Sequence, residues 1–214
     1  DIYLTGNPQI TFFKVVYRRH TNFSMEAIEQ TWNGNSTSTS AARCTATVSR
    51  NGDLVHRMYM EVSVTPKDDE KNPMAQAITD IEVEIGGQRI DKQSGQWMNV
   101  WTHLTEPNPS GHVGQADANQ ALGTLFQNMS GMGGAHTDGT NAGAKYFVPL
   151  QFWFCRNPGL ALPLIALQYH EVKVILNYNF GNSASAVAEN KLWADYIYLD
   201  TEERRRFAQV SHEY

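Results

Sequence analysis

The sequence predicts an all-β protein, an eight-stranded jelly-roll β-sandwich with only short helices. Apolar and polar residues alternate with a period of two along most of the chain, which is typical of strands that bury one face. Helical spacing of apolar residues is confined to short segments. The 214 residues, of which 41% are hydrophobic, suffice for one large all-β domain or two small ones.

Four strands are predicted in the first half of the chain, over residues 23–32, 42–50, 54–65 and 79–91. The first has an irregular pattern, whereas the third places Met58, Met60, Val62 and Val64 on one face. The pair Gly86-Gly87 is expected to bend or bulge the fourth strand. The pair Asn51-Gly52 has the composition of a tight hairpin turn, which would place the second and third strands in one sheet.

Four further strands are predicted in the second half, over residues 145–155, 164–169, 170–180 and 191–200. The seventh strand is the most regular, because alternate residues from Val172 to Phe180 are all apolar. The eighth strand is apolar on both faces. We therefore expect both of its faces to be covered by other groups.

Two helices and three loops complete the predicted domain. The pair Asn7-Pro8 favours a helix start, and Phe13, Val16, Tyr17 and His20 follow at helical spacing. The same spacing recurs at Trp97, Val100, Trp101 and Leu104, and residues 73–79 favour a further helical turn. Polar loops are expected at 33–41 and 65–73, and a long insertion at 92–144. The predicted organisation is an N-terminal arm over 1–22, a jelly roll over 23–200 and the start of a linker over 201–214.

Composition limits the classes of function. The net charge is -5 and only 18% of residues are charged, which disfavours a protein that coats nucleic acid. No apolar run approaches the roughly 20 residues that a helix needs to span a bilayer. The two cysteines, Cys44 and Cys155, are expected to be buried thiols, although a single disulfide bridge between them is the alternative.

Motifs of catalysis are not apparent. No two of the seven histidines have the His-x-His spacing that a metal-binding jelly roll of the cupin type requires. Nucleophile-elbow, phosphate-loop and dinucleotide-binding patterns do not occur, and the glycine-rich residues 131–134 indicate a flexible loop. The sequence therefore predicts a protein that is not an enzyme and has no metal or cofactor site.

Two arginine clusters and two glycosylation motifs are the remaining candidates. Arg18 and Arg19 form one cluster, and Arg204, Arg205 and Arg206 form the other. Ion pairing at a subunit or domain interface is the favoured role, and contact with anionic lipid or nucleic acid is the alternative. Among the Asn-x-Ser/Thr triplets, those of Asn35 and Asn128 are the candidates for glycosylation.

One long stretch and four shorter ones resemble a known family. Residues 4–23, LTGNPQITFFKVVYRRHTNF, closely resemble the opening of major capsid proteins of nucleocytoplasmic large DNA viruses, especially those of phycodnaviruses and mimivirus relatives. Further similar stretches follow in the expected order, at 49–54, 82–92, 158–173 and 195–214. The stretches that diverge are 33–41, 65–76 and 99–144.

This resemblance implies a structural virion protein. The family's subunit is a double jelly roll that forms trimeric, pseudo-hexagonal capsomers of an icosahedral shell, and this chain is similar to its first half. The implied partners are further copies of the chain, neighbouring capsomers, minor capsid proteins and an inner membrane on the interior side, without sequence-specific binding of nucleic acid. The implied location is the virion, with assembly in the host cytoplasm. We expect the chain to be a piece of a longer subunit, and the alternative is a complete single-jelly-roll protein.

The same resemblance gives candidate interfaces and an orientation. The candidate interface residues are Phe12, Phe13, Tyr17, Arg18, Arg19, Arg204, Arg205 and Arg206. Loops 33–41, 65–76, 156–163 and 181–190 are expected to share the outward end of the sandwich. Both termini are expected at the inner end, and the insertion 92–144 is expected on the inner or lateral side. Asn35 would then carry an outward glycan and Asn128 would not.

The rival hypothesis is a carbohydrate-binding β-sandwich module. Its sugar platform would be formed by Trp97, Trp101, Trp153 and Trp193. Packing within a helix or the core explains these tryptophans more simply.

Overall fold

The computed structural model describes residues 22–68, 70–106, 124–135 and 144–209. Within these residues the chain forms ten β-strands, which are β1 Phe23–Gln30, β2 Trp32–Asn33, β3 Ala42–Thr47, β4 Leu54–Pro66, β5 Ile78–Ile85, β6 Gln88–Ser94, β7 Ala144–Pro149, β8 Leu162–Pro163, β9 Val172–Tyr178 and β10 Ala184–Leu199. The same residues form five α-helices, which are α1 Pro73–Ala77, α2 Gly95–Thr105, α3 Leu125–Ser130, α4 Trp153–Arg156 and α5 Thr201–Gln209. Short 3-10 helices cover Pro158–Leu160 and Phe180–Asn182.

The strands form two antiparallel sheets with jelly-roll connections. The first sheet has the order β1-β10-β4-β7, with β8 beside β4, and the second has the order β2-β3-β9-β5-β6. When the two-residue strands β2 and β8 are set aside, each sheet has four strands. Successive strands cross from one sheet to the other except at β5 and β6, which pair with each other. The predicted all-β jelly-roll sandwich is therefore confirmed.

The core lies between the two sheets and follows the predicted alternation. Strand β4 buries the four apolar residues that the sequence placed on one face, and β9 buries its apolar face up to Tyr178. Strands β3 and β5 contribute Cys44, Ala46, Ile81 and Val83, each at most 1% exposed. Burial of these side chains is the main driving force for closing the sandwich.

The sandwich has two distinct ends. At the termini end, β1 begins beside the last residue of β10, since Phe23 pairs with Leu199. This end also contains the turn at 48–53, the Gly86-Gly87 turn and the segment 164–171, whose Glu171 carbonyl accepts from the Gly86 amide at 2.9 Å. At the loop end, the Lys67 amide donates to the Ser183 carbonyl at 3.0 Å, and the hydroxyl of Tyr178, the last residue of β9, donates to the carbonyl of Asn35 in the loop 34–41 at 2.6 Å.

Two of the predicted strands were wrong. One of them is two strands in the structure and the other is not a strand, so the number of longer strands is still the predicted eight. The predicted strand 79–91 is a hairpin of β5 and β6, because Gly86 and Gly87 have φ angles of 59° and 84° and close a tight turn. The predicted strand 164–169 is a series of turns, in which the amide of Ala166 donates to Pro163 at 3.1 Å. Apolar composition without a surviving period of two does not distinguish such turns from a buried strand.

Other boundaries also differ from the prediction. The predicted strand 145–155 ends at Pro149, and its last residues form helix α4. Strand β10 begins at Ala184, so most of the predicted loop 181–190 is strand, and the first residues of the predicted linker form α5. The Asn51-Gly52 turn joins two sheets rather than closing a hairpin, because β3 pairs with β9 whereas β4 pairs with β10 and β7.

The additional hairpin also changes which loops share an end. Segment 156–163 lies at the termini end, because β8 pairs with Leu54 and Val55 at the start of β4. The expectation that it shares an end with loop 33–41 was therefore wrong. The insertion leaves and re-enters at the loop end, where Ala144 pairs with Val64 and the Asn72 amide donates to the Ala135 carbonyl at 2.7 Å. Its helix α3 contacts the edge strand β7, so this described part of the insertion lies lateral to the sandwich, whereas its place relative to a shell stays a prediction.

Candidate functional site

The candidate sites among the described residues are surfaces and side-chain clusters. Across 22–68, 70–106, 124–135 and 144–209, no group of three or more His, Cys, Asp or Glu side chains could hold a metal ion. In the same residues no helix is long and apolar enough to cross a membrane. The features that remain as candidates are exposed apolar strands, charged clusters and the contacts that shape each end.

The structure separates the members of the second arginine cluster. Arg204 forms an ion pair with Asp53, with 3.0 Å between Nε and Oδ1. Arg206 pairs with Glu203 one helical turn earlier, with 3.6 Å between the charged atoms. Arg205 is exposed and makes no ion pair with any residue that the structure describes. Only Arg205 is thus available for a partner in the way that the sequence analysis proposed for all three.

The other candidate interface residues lie outside the described part of the chain. Phe12, Phe13, Tyr17, Arg18 and Arg19 all precede Asn22, the first residue that the structure describes. Their role stays a prediction.

Polar contacts organise the termini end around two side chains. The Tyr196 hydroxyl lies 2.9 Å from Ser49 Oγ and 3.2 Å from Gln30 Oε1, and it also donates to the Ser49 carbonyl. The Arg50 guanidinium donates to the carbonyl oxygens of Leu167 at 2.7 Å, His170 at 3.1 Å and Gln168. These bonds fix the turn at 48–53 against both β10 and the segment 164–171.

Strand β1 presents an apolar edge to solvent. It is the outermost strand of the first sheet, so one side of its backbone has no neighbouring strand among the described residues. Phe23 is 53% exposed and Met25 is 52% exposed, and both lie on one face of this strand. Natural proteins usually cover or charge such an edge, which makes β1 a candidate contact surface.

An aromatic cluster covers the outer face of the first sheet. Tyr59 stacks on Trp193 with ring centroids 6.5 Å apart and an interplanar angle of 14°, and Phe147 lies at 6.5 Å from Tyr59 on the other side. Glu61 accepts from Trp193 Nε1 at 2.8 Å and pairs with Lys145 at 2.6 Å, and these bonds hold the pKa of its carboxyl below the usual value. The prediction that both faces of the strand containing Trp193 are covered is thus met in part by neighbours within the sheet.

A groove of about 580 Å³ separates this sheet face from α2 and α3. Its lining includes Tyr59, Trp101, Phe147, Arg156 and Asp195. Burial raises the pKa of the Asp195 carboxyl, and the charges of Arg57 and His56 oppose that rise. The groove combines apolar and charged walls.

The four tryptophans of the rival hypothesis do not form one platform. Trp97 and Trp101 lie 6.0 Å apart on α2, and Arg156 sits 4.8 Å above the Trp101 ring. Trp153 meets Phe154 edge-on at 5.0 Å, whereas Trp193 belongs to the cluster on the sheet. Within the described residues no ring contact joins these three groups, so packing accounts for each tryptophan separately.

The two glycosylation candidates lie in different surroundings. Asn35 is exposed in the loop 34–41, and its side-chain oxygen accepts from the Thr37 amide at 3.0 Å. Asn128 is half-buried in helix α3, and the serine of its motif, Ser130, is only 1% exposed. Asn35 is therefore the more accessible of the two motifs, and glycosylation at either stays a prediction.

Both cysteines are free and buried, as the sequence analysis expected. Burial raises the pKa of each thiol to about 12. Neither thiol is therefore a nucleophile near neutral pH, because the thiolate is the reactive form.

Sequence reasoning missed Asp53 altogether. Its side chain is only 11% exposed and accepts from the Leu199 amide at 2.8 Å as well as from Arg204. The signal that could have found it is its place in the stretch 49–54, one of those that carry the family resemblance.

Comparison with known proteins places these features in a family. Residues 11–200 match the family model described as the major capsid protein N-terminus. The whole chain aligns with the major capsid protein of Pyramimonas orientalis virus at 52% identity, covering 54% of that protein. It aligns with the major capsid protein of Paramecium bursaria Chlorella virus 1 at 44% identity, covering 48%, and with capsid protein 1 of Acanthamoeba polyphaga mimivirus at 37%, covering 40%. The chain thus spans about half the length of the curated relatives it matches.

Solved structures agree with these relationships. The crystal structure of VP54 of PBCV-1 matches 95% of this chain and 49% of its own, with a TM-score of 0.72 and 37% identity. The major capsid protein of Faustovirus matches with a TM-score of 0.56 at 11% identity, which is evidence for a shared fold alone.

Proposed function

Because the chain belongs to the major capsid protein family of nucleocytoplasmic large DNA viruses, as its N-terminal part, we propose that it builds the shell of a virion. The observation that carries this proposal is the pair of four-stranded sheets in jelly-roll order, over the same residues that match the family model. A structural role requires stable surfaces and no reaction centre. On this proposal the protein is located in the capsid, is assembled in the host cytoplasm and is not an enzyme.

The proposed assembly unit is a homotrimer that forms a pseudo-hexagonal capsomer. The support is that the chain spans about half the length of its relatives. If the other half of the subunit contributes a second sandwich, three copies present six similar lobes. Each contact within a shell can be modest, because the lattice repeats it many times. Neighbouring capsomers are therefore partners of the same proposal, and so are minor capsid proteins and an inner membrane on the interior side. The net charge of -5 disfavours any sequence-specific contact with nucleic acid.

The proposed orientation places the loop end outward and the termini end inward. Stretches 49–54, 82–92, 158–173 and 195–214, which carry the family resemblance, reach the termini end. The divergent stretches 33–41 and 65–76 lie at the loop end, and the insertion leaves and re-enters there. Contacts inside a shell need matching partners, whereas an outward surface is free to differ.

Candidate contact surfaces follow from exposure. The apolar edge of β1 and the exposed Arg205 are the described candidates. The arm residues Phe12, Phe13, Tyr17, Arg18 and Arg19 are proposed for the same role. An apolar edge near the domain boundary suits a permanent contact, which is generally more hydrophobic than a transient one.

The test is the mass of the full-length protein in solution. Light scattering coupled to size-exclusion chromatography is expected to give three times the mass of one subunit, and negative-stain images are expected to show hexagonal outlines. A substitution of Phe23 and Met25 by Ser should weaken the trimer. Leu104→Ser combined with Leu125→Ser serves as the control, because it removes two apolar side chains that are 72% and 77% exposed on other elements. A monomer at micromolar concentration would contradict the proposal.

The carbohydrate-binding hypothesis has less support, because the tryptophans are dispersed among three separate groups. Glycan binding to the isolated domain at micromolar affinity, lost on Trp193→Ala, would favour it over the capsid role.

A further inference from the structure

A charged latch joins the turn at 48–53 to helix α5. The Arg204 guanidinium contacts both carboxylate oxygens of Asp53, at 3.0 Å from Nε to Oδ1 and 3.2 Å from Nη2 to Oδ2. Two-point contact between arginine and a carboxylate fixes the relative orientation of the groups as well as their distance. The latch spans 151 positions of sequence, so it forms only when the sandwich has closed.

Asp53 is itself held rigidly. Its amide donates to the Ile197 carbonyl at 3.0 Å, and its carbonyl accepts from the Ile165 amide at 3.4 Å. Its Oδ2 also accepts from the Leu199 amide at 2.8 Å. The preceding Gly52 lies so close to Tyr196 that an added Cβ would come within 2.9 Å of that ring. Asp53 is thus fixed to two segments of the termini end, β10 and 164–171, independently of Arg204.

Helix α5 depends on this end for its direction. The Asp200 side chain caps the helix by accepting from the Glu203 amide at 3.0 Å. No residue of α5 is buried, so the helix does not gain its position by packing into the core. Arg204 lies in the first turn, where a fixed side chain controls the angle between the helix and β10.

We propose that the Asp53–Arg204 latch is a positioning device that sets the direction in which the chain leaves the sandwich. The first residues after β10 then form a rigid extension of the domain instead of a flexible linker. That this direction would set the position of a second half of the subunit rests on the proposed function, whereas the latch itself does not depend on that function. The two stretches it joins, 49–54 and 195–214, both carry the family resemblance, and the latch gives a physical reason for that.

Arg204→Ala and Arg205→Ala form a matched pair of variants for the test. They remove the same side chain from adjacent positions of one helix, so net charge and helix propensity change equally. Amide hydrogen exchange of residues 201–209 should become about tenfold faster or more in Arg204→Ala and stay unchanged in Arg205→Ala. Amides of β4 and β10 should exchange at the same rate in both variants, because their pairing does not involve Arg204.

The direction of helix α5 relative to the sandwich can be tested by measuring a distance between the two. Spin labels on Thr65→Cys and Gln209→Cys would be compared by pulsed electron resonance, with the natural thiols left in place because burial keeps them unreactive. The chain with natural Arg204 and the Arg205→Ala variant should give one narrow distance distribution, and Arg204→Ala should give a broad one. Arg204→Lys keeps the charge but not the two-point contact and should give an intermediate width.

Two results would overturn the proposal. One is a broad distribution in the chain with natural Arg204, and the other is equal width and equal exchange in the two alanine variants. If Arg204→Ala does not fold, the comparison of Arg204→Lys with Arg205→Lys decides in the same way. Since none of these measurements requires assembly, a failure to form trimers would leave the outcome for the latch unaffected.

Discussion

The two ends of the sandwich are each closed by a buried tyrosine, but the two hydroxyls reach different kinds of partner. At the termini end, Tyr196 is fully buried and its hydroxyl meets Gln30, which is 2% exposed, and Ser49. At the loop end, the Tyr178 hydroxyl donates to the Asn35 carbonyl at 2.6 Å and accepts from the Ser38 amide at 3.2 Å. The first set includes the buried side chain of Gln30, whereas the second set belongs to a surface loop.

This difference shows how one scaffold can combine a constant and a variable end. A buried partner that loses its hydrogen bond has no water to replace it, so the termini end tolerates little change. A loop that loses its contact with Tyr178 can bind water instead. The loop end can therefore change in sequence while the strands beneath it stay the same.

The largest expected effect tests whether both tyrosines are equal parts of the core. Tyr196→Ala and Tyr178→Ala should each lower the free energy of unfolding by about 3–5 kcal/mol, because each leaves a cavity where a large ring was packed. Chemical denaturation of the two variants measures this. If one variant loses less than half as much free energy of unfolding as the other, the two rings do not contribute equally to the core, and the two ends differ in packing as well as in hydrogen bonding.

Removal of the hydroxyl alone should separate the two ends. Tyr196→Phe is expected to cost about 2 kcal/mol, because the Ser49 carbonyl loses the donor from Tyr196 and the buried Gln30 Oε1 keeps only its bonds from Ser49. Tyr178→Phe is expected to cost about 1 kcal/mol or less, since Asn35 and Ser38 lie in an accessible loop. The same denaturation experiment measures both, and an equal cost would contradict the proposed difference.

A cation at each end offers the next comparison. Arg50→Ala should lower the free energy of unfolding by about 1.5 kcal/mol, as its guanidinium bonds three backbone carbonyls of the segment 164–171. At the loop end, the Lys67 ammonium donates to the Gly181 carbonyl, and Lys67→Ala should cost less than about 1 kcal/mol, because this side chain is exposed. A larger loss of free energy of unfolding in Lys67→Ala than in Arg50→Ala would contradict the expectation that the termini end is held more strongly than the loop end.

High pH should reduce the contribution of the two tyrosine hydroxyls to the free energy of unfolding. Burial raises the pKa of both Tyr196 and Tyr178 above the ordinary value of 10.0. A raised pKa in the folded state means that the stabilisation is fully present below pH 10 and is lost as pH rises through the folded value, by at most about 1.4 kcal/mol per pH unit for each group. The difference in stability between the natural protein and each Phe variant should therefore narrow above pH 10. A constant difference up to pH 11 would contradict the raised pKa values, because each phenol would then ionise alike in the folded and the unfolded state.

How far the sequence predicts this fold depends on whether a strand buries only one face. Strands β4 and β9 were predicted closely, because every second residue from Met58 to Val64 and from Val172 to Tyr178 is apolar and buried. The hairpin at Gly86-Gly87 was taken for a bend, since both of its arms have strand composition and the φ angles that close the turn are not visible in a residue pattern. The turns at 164–169 were taken for a strand, because Leu164 and Leu167 are buried, at 3% and 4% exposure, without being paired.

The candidate site was less predictable than the fold. The sequence showed that Arg204, Arg205 and Arg206 are adjacent, but their partners depend on helical geometry and on a contact with Asp53 across the sandwich. Periodicity describes neighbours along one element, whereas an ion pair between the start of β4 and the start of α5 depends on how sheets close. The family resemblance identified both segments without revealing that they touch.

The smallest expected effect concerns the loop end alone. Asn35→Gln should change the free energy of unfolding by no more than about 0.5 kcal/mol, because the side chain is exposed and its bonds are local to the loop. If the protein is produced in a host that glycosylates it, intact-mass mapping should find sugar on Asn35 and none on Asn128, whose motif contains the buried Ser130. The Asn35→Gln variant should then lose the added mass without a loss of trimers, since a glycan at the outward end does not lie between subunits. Sugar on Asn128 with none on Asn35, or trimers that fail when Asn35 is changed, would place the loop end at a contact and reverse the proposed orientation.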